Sequence, residues 1–372
     1  MNYRLSDICF YVKEKVAVSV LENTDYISTE NMIPNKGGIT TATSLPSSFK
    51  TQAYQKHDVL VSNIRPYFKK IWFSDCNGGC SNDVLVFRAK DGTDARFLYY
   101  VLADDAFFDY STATSKGTKM PRGDKTAIMQ YEVPYFDLKT QKKIARILTD
   151  IDYKITLNNN INKNLEQQAQ AIYQQMFIDN ASSDWIEGTL NDIADVTMGQ
   201  SPSGSSYNED GDGTIFFQGR AEFGFRFPTV RLYTTEPKRM ARANDTLMSV
   251  RAPVGDLNVA HTDCCIGRGL TAIHSKNNHQ SFVLYTMFSL KKQLNVFNGE
   301  GTVFGSINKN SLNEMPLLIP SSEKVDEFEA LVAPMDATVR NNYDEICRLE
   351  QLRDSLLPKL MSGELDVSNI DL

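Results

Sequence analysis

Two short segments of the sequence place an acidic residue two positions before a lysine, a combination used by metal-dependent nucleases: residues 137–139 and 236–238. Such triplets arise often by chance, so neither is given a catalytic role. Cys76 with Cys80, and the adjacent Cys264 and Cys265, are of a type that binds zinc. A tetrahedral zinc site needs a second matching Cys or His pair, which the sequence does not offer, and buried thiols are the simpler interpretation.

Motifs for phosphate and methyl-donor chemistry are also missing. A phosphate-binding P-loop has the spacing GxxxxGK[ST], whereas here Asp124 separates Gly123 from Lys125. Methylation of amino groups with S-adenosylmethionine would need an Asn/Asp-Pro-Pro-aromatic loop, and the sequence contains none. The sequence therefore predicts no catalytic residue, no metal site and no cofactor.

Polar and basic residues instead form clusters suited to nucleic acid. Arg and Gln can pair bidentately with guanine and adenine edges, whereas Lys mainly neutralises phosphate. For any single residue, an ordinary solvated surface remains the alternative. The candidates for DNA contact from these clusters are Asn63, Arg65, Tyr67, Lys69, Lys116, Lys119, Arg122, Gln218, Arg220, Arg226, Arg251 and Lys309.

Composition sets further limits. The 372 residues carry 39 Lys and Arg against 46 Asp and Glu, a net charge of −7. Local field matters more than total charge for nucleic-acid binding, and the acidity is concentrated in residues 311–372, with 13 acidic and 5 basic side chains. A hydrophobic content of 41% excludes a disordered chain. Without a secretion signal, a run of 18 apolar residues or a disulfide pattern, we expect a cytoplasmic protein with no membrane contact.

The sequence repeats itself with a shift of about 185 residues. Matching segments keep their order: 5–8 and 190–193, 58–62 and 245–249, 97–100 and 282–285, 117–118 and 301–302, 133–134 and 315–316, and 165–166 and 349–350. Between these anchors the halves differ greatly. This pattern predicts two copies of one scaffold that carry different surfaces.

Each copy is predicted to begin with a strand-rich, mixed α/β globule. Segments rich in β-branched and aromatic residues, separated by glycine-containing turns, indicate strands at residues 58–64, 83–88, 214–218 and 269–274. One helix is expected near 95–110 and its repeat near 281–297.

Each copy is predicted to end with a long helix, because apolar residues recur at alternating steps of three and four. The seam residues are Ile144, Leu148, Ile151, Ile155, Leu165, Ala169, Ile172 and Met176, then Phe328, Val332, Met335, Val339, Ile346, Leu349, Leu356 and Leu360, with Arg353 as an exception. Residues 144–176 would extend about 50 Å at about 1.5 Å per residue, more than one small globule can cover. We therefore expect the two helices to pack against each other.

Asn158 and Asn162 interrupt the seam of the first helix, and the position equivalent to Asn158 in the second helix is Asn342. A buried Asn in an apolar seam weakens packing but fixes register, so Asn158 and Asn342 are predicted near the middle of one antiparallel helix pair. Pro334 is expected to kink the second helix. Such a pair would relate the halves by a pseudo-twofold axis and span on the order of ten to fifteen base pairs of DNA. Two unlike reading sites in inverted orientation would suit a bipartite DNA site.

With these features, the whole chain resembles the specificity (S) subunit of a type I restriction-modification system. The supporting motifs are at residues 185–194, 199–203, 251–255, 299–301 followed by Ile307, and 357–365. The motif at 199–203 adds Gln200 and Ser201 to the candidates for DNA contact. The first half departs from the pattern, because Arg65-Pro66-Tyr67 stands where the second half has residues 251–255.

The resemblance implies an α+β fold with two target recognition domains, residues 1–136 and 185–318. They would alternate with long spacer helices, residues 137–184 and 319–372, paired as an antiparallel coiled coil. Each domain would read one half of a bipartite, asymmetric site in double-stranded DNA. The helices would set the spacer and dock two modification subunits, which methylate adenine, and restriction subunits would join for ATP-dependent cleavage. The chain itself would not be an enzyme.

Other interpretations remain open from the sequence. The partners could be fused into one restriction-modification polypeptide. A coiled-coil adaptor would show no salt-dependent affinity for DNA. A self-contained nuclease or methyltransferase would be active alone with metal or cofactor, and the missing motifs weigh against it.

Overall fold

The computed structural model describes residues 2–299, 305–368 and 370. These residues form two compact units: unit 1 comprises the chain up to residue 157 together with the part from 345 onward, and unit 2 comprises residues 158–344. The repeat segment 301–302 and part of the motif at 299–301 lie outside the described residues. Among the helices described, none is long and apolar enough to cross a membrane.

Unit 1 contains two four-stranded sheets and a two-stranded ribbon. Its strands are β1 (Asn2–Arg4), β2 (Cys9–Tyr11), β3 (Lys15–Ala17), β4 (Tyr26–Ile27), β5 (Lys50–Tyr54), β6 (Val59–Ser62), β7 (Ile71–Phe73), β8 (Gly78–Cys80), β9 (Val84–Ala89) and β10 (Glu132–Pro134). Its short helices are α1 (Leu5–Ile8), α2 (Ala95–Ala103), α3 (Asp105–Ala113) and α4 (Lys125–Ile128). The sheet orders are β2-β9-β6-β7 and β3-β5-β8-β4, and β1 pairs with β10.

The first long helix, α5 (Leu138–Tyr173), begins in unit 1 and ends in unit 2, where a π-helical segment at Gln174–Asp179 continues it. Asp137 caps its start, since the carboxylate accepts a hydrogen bond from the backbone N of Thr140 at 2.8 Å. This capping contact accounts for the acidic residue of the segment 137–139.

Unit 2 contains a four-stranded sheet, a five-stranded sheet and a two-stranded ribbon. Its strands are β11 (Ile186–Thr189), β12 (Ala194–Met198), β13 (Tyr207–Asn208), β14 (Thr214–Phe217), β15 (Leu232–Thr234), β16 (Met240–Ala241), β17 (Thr246–Ser249), β18 (Leu257–Val259), β19 (Cys264–Ile266), β20 (Leu270–Ser275) and β21 (Pro316–Ile319). Its helices are α6 (Leu190–Ile193), α7 (Gln280–Ser289), α8 (Lys291–Leu294), α9 (Lys309–Asn313) and α10 (Ser322–Ser362), the last of which ends in unit 1.

The strand topology confirms the tandem repeat. The sheet order β2-β9-β6-β7 in unit 1 has its counterpart in β12-β20-β17-β18 in unit 2. The register agrees as well, because Ser62 pairs with Val84 in unit 1 and Ser249 pairs with Leu270 in unit 2. Each unit also has one parallel strand pair, β4 with β8 and β14 with β19.

The four predicted strands are present as β6, β9, β14 and β20, with ends shifted by at most two residues. The helix predicted at 95–110 is instead two helices, α2 and α3. Asp104 takes an extended conformation between them, and its carboxylate accepts a hydrogen bond from the backbone N of Ala106 at 3.1 Å. This side chain therefore ends one helix and caps the next. The helix predicted at 281–297 likewise divides into α7, α8 and a 3₁₀ turn at Asn295–Asn298.

In each unit, α5 and α10 pack antiparallel. Within unit 1, Asp152 contacts Arg353 at 3.2 Å and Lys154 contacts Glu345 at 3.3 Å, so residue numbers rise along one helix and fall along the other. Within unit 2, the ring of Tyr173 packs on that of Phe328. The predicted seam residues are all buried or half-buried. Arg353, the exception in the seam, is matched by the carboxylate of Asp152.

A hydrogen bond between two amide side chains, one buried and one half-buried, fixes the helix register in unit 2. Asn342 Nδ2 donates to Asn162 Oδ1 at 2.8 Å. Thus the described partner of Asn342 is Asn162, one turn beyond the predicted register residue Asn158, whose side chain is also buried. The predicted kink at Pro334 does not interrupt α10, which is continuous from Ser322 to Ser362.

We expect Asn342→Leu to lower the free energy of unfolding by about 1–3 kcal/mol, because the buried amide of Asn162 loses its partner. The double variant Asn162→Leu/Asn342→Leu should recover most of the loss, since both polar groups are then removed together. Chemical denaturation of the full chain measures both. A double variant less stable than the single one would contradict this view of the register.

Candidate nucleic-acid interface

In unit 2, several candidate residues meet where two parallel strands end. In the pairing of β14 with β19, Phe217 lies opposite Ile266, so Gln218 and Gly267 follow the two strand ends. The backbone N of Gly267 donates to the carbonyl of Phe217 at 2.8 Å, and that of Gln200 donates to Ile266 at 2.9 Å. The side chains of Gln200 and Gln218 are both exposed. The strand ends therefore place two amide side chains on one surface.

Close backbone packing explains the glycines around this surface. A Cβ on Gly199 would overlap the carbonyl oxygen of Gly267, and a Cβ on Gly267 would lie 2.8 Å from the carbonyl oxygen of Gln218. Ser201 Oγ accepts a hydrogen bond from the backbone N of Arg268 at 3.2 Å. Three chain segments are thus held together by backbone contacts, which leaves the side chains of Gln200, Gln218 and Arg268 free to face outward.

Two other candidates in unit 2 border this surface. Val250 donates its backbone N to Gly269 at 2.9 Å, which places the exposed Arg251 next to the same turn. Arg220 follows Gln218 by two residues and pairs with Asp256 at 3.0 Å. Lys309 begins α9 with an exposed side chain, and no contact of the described residues joins it to this group.

Arg226 is buried, with 4% of its side chain exposed. Its guanidinium contacts Glu166 and Asp336, each at 3.0 Å, and donates to Tyr285 Oη at 3.1 Å. Burial opposes the charge, but Tyr285, Asp336 and Glu166 outweigh it and hold the pKa of Arg226 above its ordinary value. The prediction of DNA contact by Arg226 is therefore not retained, because its charged group is used inside unit 2.

In unit 1, backbone bonds join the two predicted clusters. Lys116 and Arg122 exchange backbone hydrogen bonds of 2.8 and 2.9 Å, and Arg65 donates its backbone N to the carbonyl of Pro121 at 2.8 Å. Lys119 lies in the turn between Lys116 and Arg122 and is exposed. The structure therefore brings Arg65, Lys116, Lys119 and Arg122 into one loop surface.

Aromatic and left-handed residues shape the other side of this loop surface. Arg65 and Lys69 both have a φ of 50°, and the 3₁₀ turn Pro66–Phe68 lies between them. The Arg65 guanidinium lies 5.8 Å from the centroid of the Phe68 ring, a cation–π distance. Tyr67 packs edge-on against Phe68 and is 47% exposed, so it offers a ring face for stacking.

Asn63 supports this loop from inside. Its side chain is buried, and its Oδ1 has no hydrogen-bond partner in the part of the chain that the structure describes. Its backbone N donates to Asp83 at 2.8 Å, and its carbonyl accepts from Gly123 at 3.1 Å. Asn63 therefore links the loop to the neighbouring turn and presents no exposed amide.

Carboxylates balance several of the unit 1 cations. Asp105 binds Lys36 at 2.8 Å and Lys69 at 3.0 Å. Burial favours a higher pKa for Asp105, but the two ammonium groups outweigh it and lower the pKa. Lys116 binds Asp124 at 2.5 Å and thereby lowers the pKa of that carboxyl.

Arg122 pairs with Asp83 at 3.1 Å. Lys119 and Arg65 have no ion-pair partner among the described residues. Because Arg65 is half-buried with a buried Nε, whereas Lys119 is exposed, Lys119 is the cation of this surface most available to a phosphate.

Sequence reasoning missed Arg268, an exposed arginine at the centre of the unit 2 surface. The signal that could have found it is its place between two glycines, Gly267 and Gly269, in a turn between two predicted strands. Glycines that flank an arginine indicate close backbone approach around an exposed cation.

We expect Arg226→Met to lower the free energy of unfolding by about 3–5 kcal/mol, because Glu166 and Asp336 stay largely buried without their cation. The matched control Arg146→Met removes an exposed arginine of α5 and should cost less than about 1 kcal/mol. Denaturation of both full-length variants measures the difference. Equal losses would show that the Arg226 cluster contributes no more than a surface pair.

Known proteins are similar to this chain in sequence and in architecture. A model of the type I restriction modification DNA specificity domain matches residues 1–167 and 182–333. The putative type I restriction enzyme MjaX specificity subunit of Methanocaldococcus jannaschii is 32% identical over 262 residues, which cover 66% of this chain and 61% of that protein. The HindI specificity subunit of Haemophilus influenzae is 23% identical over 457 positions, which cover 98% and 99%.

The crystal structure of a type I restriction-modification system S subunit from M. genitalium has the same fold, with a TM-score of 0.61 at 17% identity. It covers 99% of this chain and 96% of that one. The chain spans about three fifths of the length of the MjaX relative and nearly all of the HindI relative. Because the family model matches both halves and most of the sequence, the chain belongs to the type I restriction modification DNA specificity family.

Proposed function

We propose that this chain selects the DNA sequence for a type I restriction-modification enzyme and performs no chemistry itself. The observation that carries the proposal is one scaffold used twice with different exposed loops. Residues 1–136 and 185–318 would act as the two target recognition domains, each reading one half of a bipartite site. The partners would be double-stranded DNA, two adenine-methylating modification subunits and, for cleavage, restriction subunits.

The two loop surfaces differ in a way that supports an asymmetric site. Unit 2 offers the amides of Gln200 and Gln218 beside two arginines, groups that pair with adenine and guanine edges. Unit 1 offers Tyr67 for stacking and Lys119 for phosphate. Unlike side chains on equivalent backbones would recognise unlike half-sites.

The helix segments 137–184 and 319–372 are proposed to set the spacer between the half-sites. The antiparallel packing in each unit and the hydrogen bond between Asn342 and the buried Asn162 support a fixed register. A fixed register holds a defined separation better than a flexible linker would.

We expect single-molecule sequencing of a host strain that carries this chain to show methylated adenines in one bipartite, asymmetric motif. Deleting its gene should abolish that methylation, because the modification subunits would no longer be directed to a specific DNA sequence. Restoring the gene on a plasmid is the control. Methylation of the same motif in the deletion strain would contradict the proposed function.

Replacing residues 185–318 with the equivalent segment of another family member should change one half of the methylated motif and leave the other half intact. The physical reason is that the core residues of each unit pack within that unit. The methylome of the chimeric strain reports the outcome. A change in both halves would show that the two domains do not read independently.

A further inference from the structure

A pair of equivalent turns, one in each unit, carries two side chains that have no assigned role. In unit 1 the turn from β8 to β9 is closed by the backbone N of Val84 donating to Ser81 at 3.0 Å. In unit 2 the turn from β19 to β20 is closed by Leu270 donating to Gly267 at the same distance. Asn82 follows Ser81 in the first turn, and Arg268 follows Gly267 in the second.

Two further backbone hydrogen bonds around the two turns also correspond. The first residue of each turn donates its backbone N to the parallel strand at 2.8 Å, Ser81 to Ile27 in unit 1 and Gly267 to Phe217 in unit 2. The carbonyl of the third residue accepts from the neighbouring strand end, at 2.8 Å in unit 1 and 2.9 Å in unit 2. Asn82 and Arg268 therefore occupy the same place on the same scaffold.

Both side chains are exposed and unengaged. Neither Asn82 nor the Arg268 guanidinium has a hydrogen bond or an ion pair with the described residues. Asp83, next to Asn82, is already neutralised by Arg122 at 3.1 Å. A polar cavity of about 540 Å³ lies beside Asn82, with Ser81 and Asp83 in its wall.

These side chains have the chemistry of base readers. A guanidinium pairs bidentately with O6 and N7 of guanine, and a carboxamide pairs bidentately with N6 and N7 of adenine. Because backbone hydrogen bonds hold each turn to neighbouring strand ends, little backbone freedom remains to be lost when the side chains bind.

We propose that Arg268 reads a guanine in the half-site of unit 2 and that Asn82 reads an adenine at the equivalent position in the half-site of unit 1. This assignment rests on the proposed function and deepens it by naming one specificity-determining residue in each unit. Gln200 and Gln218 beside Arg268 would read neighbouring positions.

The test is the methylome of host strains in which the chromosomal gene encodes Arg268→Ala, Arg268→Lys or Asn82→Ala in the full chain. Arg268→Ala should lower the preference for guanine at one position of one half-site by about tenfold or more and leave the other half-site unchanged. Arg268→Lys should also weaken it, since lysine keeps the charge but lacks the bidentate geometry. Asn82→Ala should relax an adenine in the opposite half-site only.

The matched control is Arg242→Ala, which removes an exposed arginine that contacts His274 near the opposite end of β20 and should leave the motif unchanged. Thermal melts of the purified full-length variants verify that each one folds. The gain-of-function variant Asn82→Arg should introduce a guanine preference in the first half-site.

Unchanged motifs in both the Arg268 and Asn82 variants would overturn the assignment, as would equal relaxation of both half-sites by either one. If the unmodified strain showed no bipartite motif, the proposed function would fail, and this assignment with it. A bipartite motif that is present in the unmodified strain and unchanged in the variants would instead overturn only the assignment of Arg268 and Asn82.

Discussion

A tyrosine hydroxyl that donates to a helix aspartate joins the strand-rich part of each unit to its own helix pair. Tyr100 donates to Asp152 at 2.7 Å in unit 1, and Tyr285 donates to Asp336 at 2.9 Å in unit 2. The two pairs occupy equivalent positions in the repeat, but their counter-charges come from different places. Arg353 on the crossing helix contacts Asp152, whereas Arg226 from a loop contacts Asp336. The orientation of each loop surface on its helices depends on this joint.

The electrostatic environment of the joint favours the two tyrosine–aspartate hydrogen bonds. Burial raises the pKa of both tyrosines above its ordinary value, so the hydroxyls remain protonated and keep donating at any physiological pH. Burial also raises the pKa of Glu166, partly opposed by the charge of Arg226. In unit 2, where Arg226 is buried between Glu166 and Asp336, removing one partner would leave a poorly solvated charge, so these ion pairs support the joint.

Sequence patterns predict the long helices and the repeat of this molecule better than they predict the residues of its candidate nucleic-acid interface. The apolar seam gives the long helices through its local periodicity. The matched anchors give the repeat because their order is kept at a shift of about 185 residues. The break at Asp104 was readable too, since an aspartate is a strong N-cap residue. The burial of Arg226 could not be predicted from the sequence, because its partners Glu166, Asp336 and Tyr285 come from three distant parts of the sequence. The equivalence of Asn82 and Arg268 could not be predicted, because the two residues share no identity and are related only by strand register.

The same division explains how one scaffold can serve different sequences. Asn82 and Arg268 project from turns that backbone hydrogen bonds hold to neighbouring strands, and neither side chain makes a described hydrogen bond or ion pair, so exchanging either one removes no such contact of the core. The glycines around Arg268 are less free, because a Cβ at Gly267 would press on the carbonyl of Gln218. Substitutions at the turn tips should therefore change what is read at little cost in stability, whereas substitutions at the buried charges should unfold the unit before they alter its preference. Recognition can vary on this frame because the reading residues and the supporting residues are different sets.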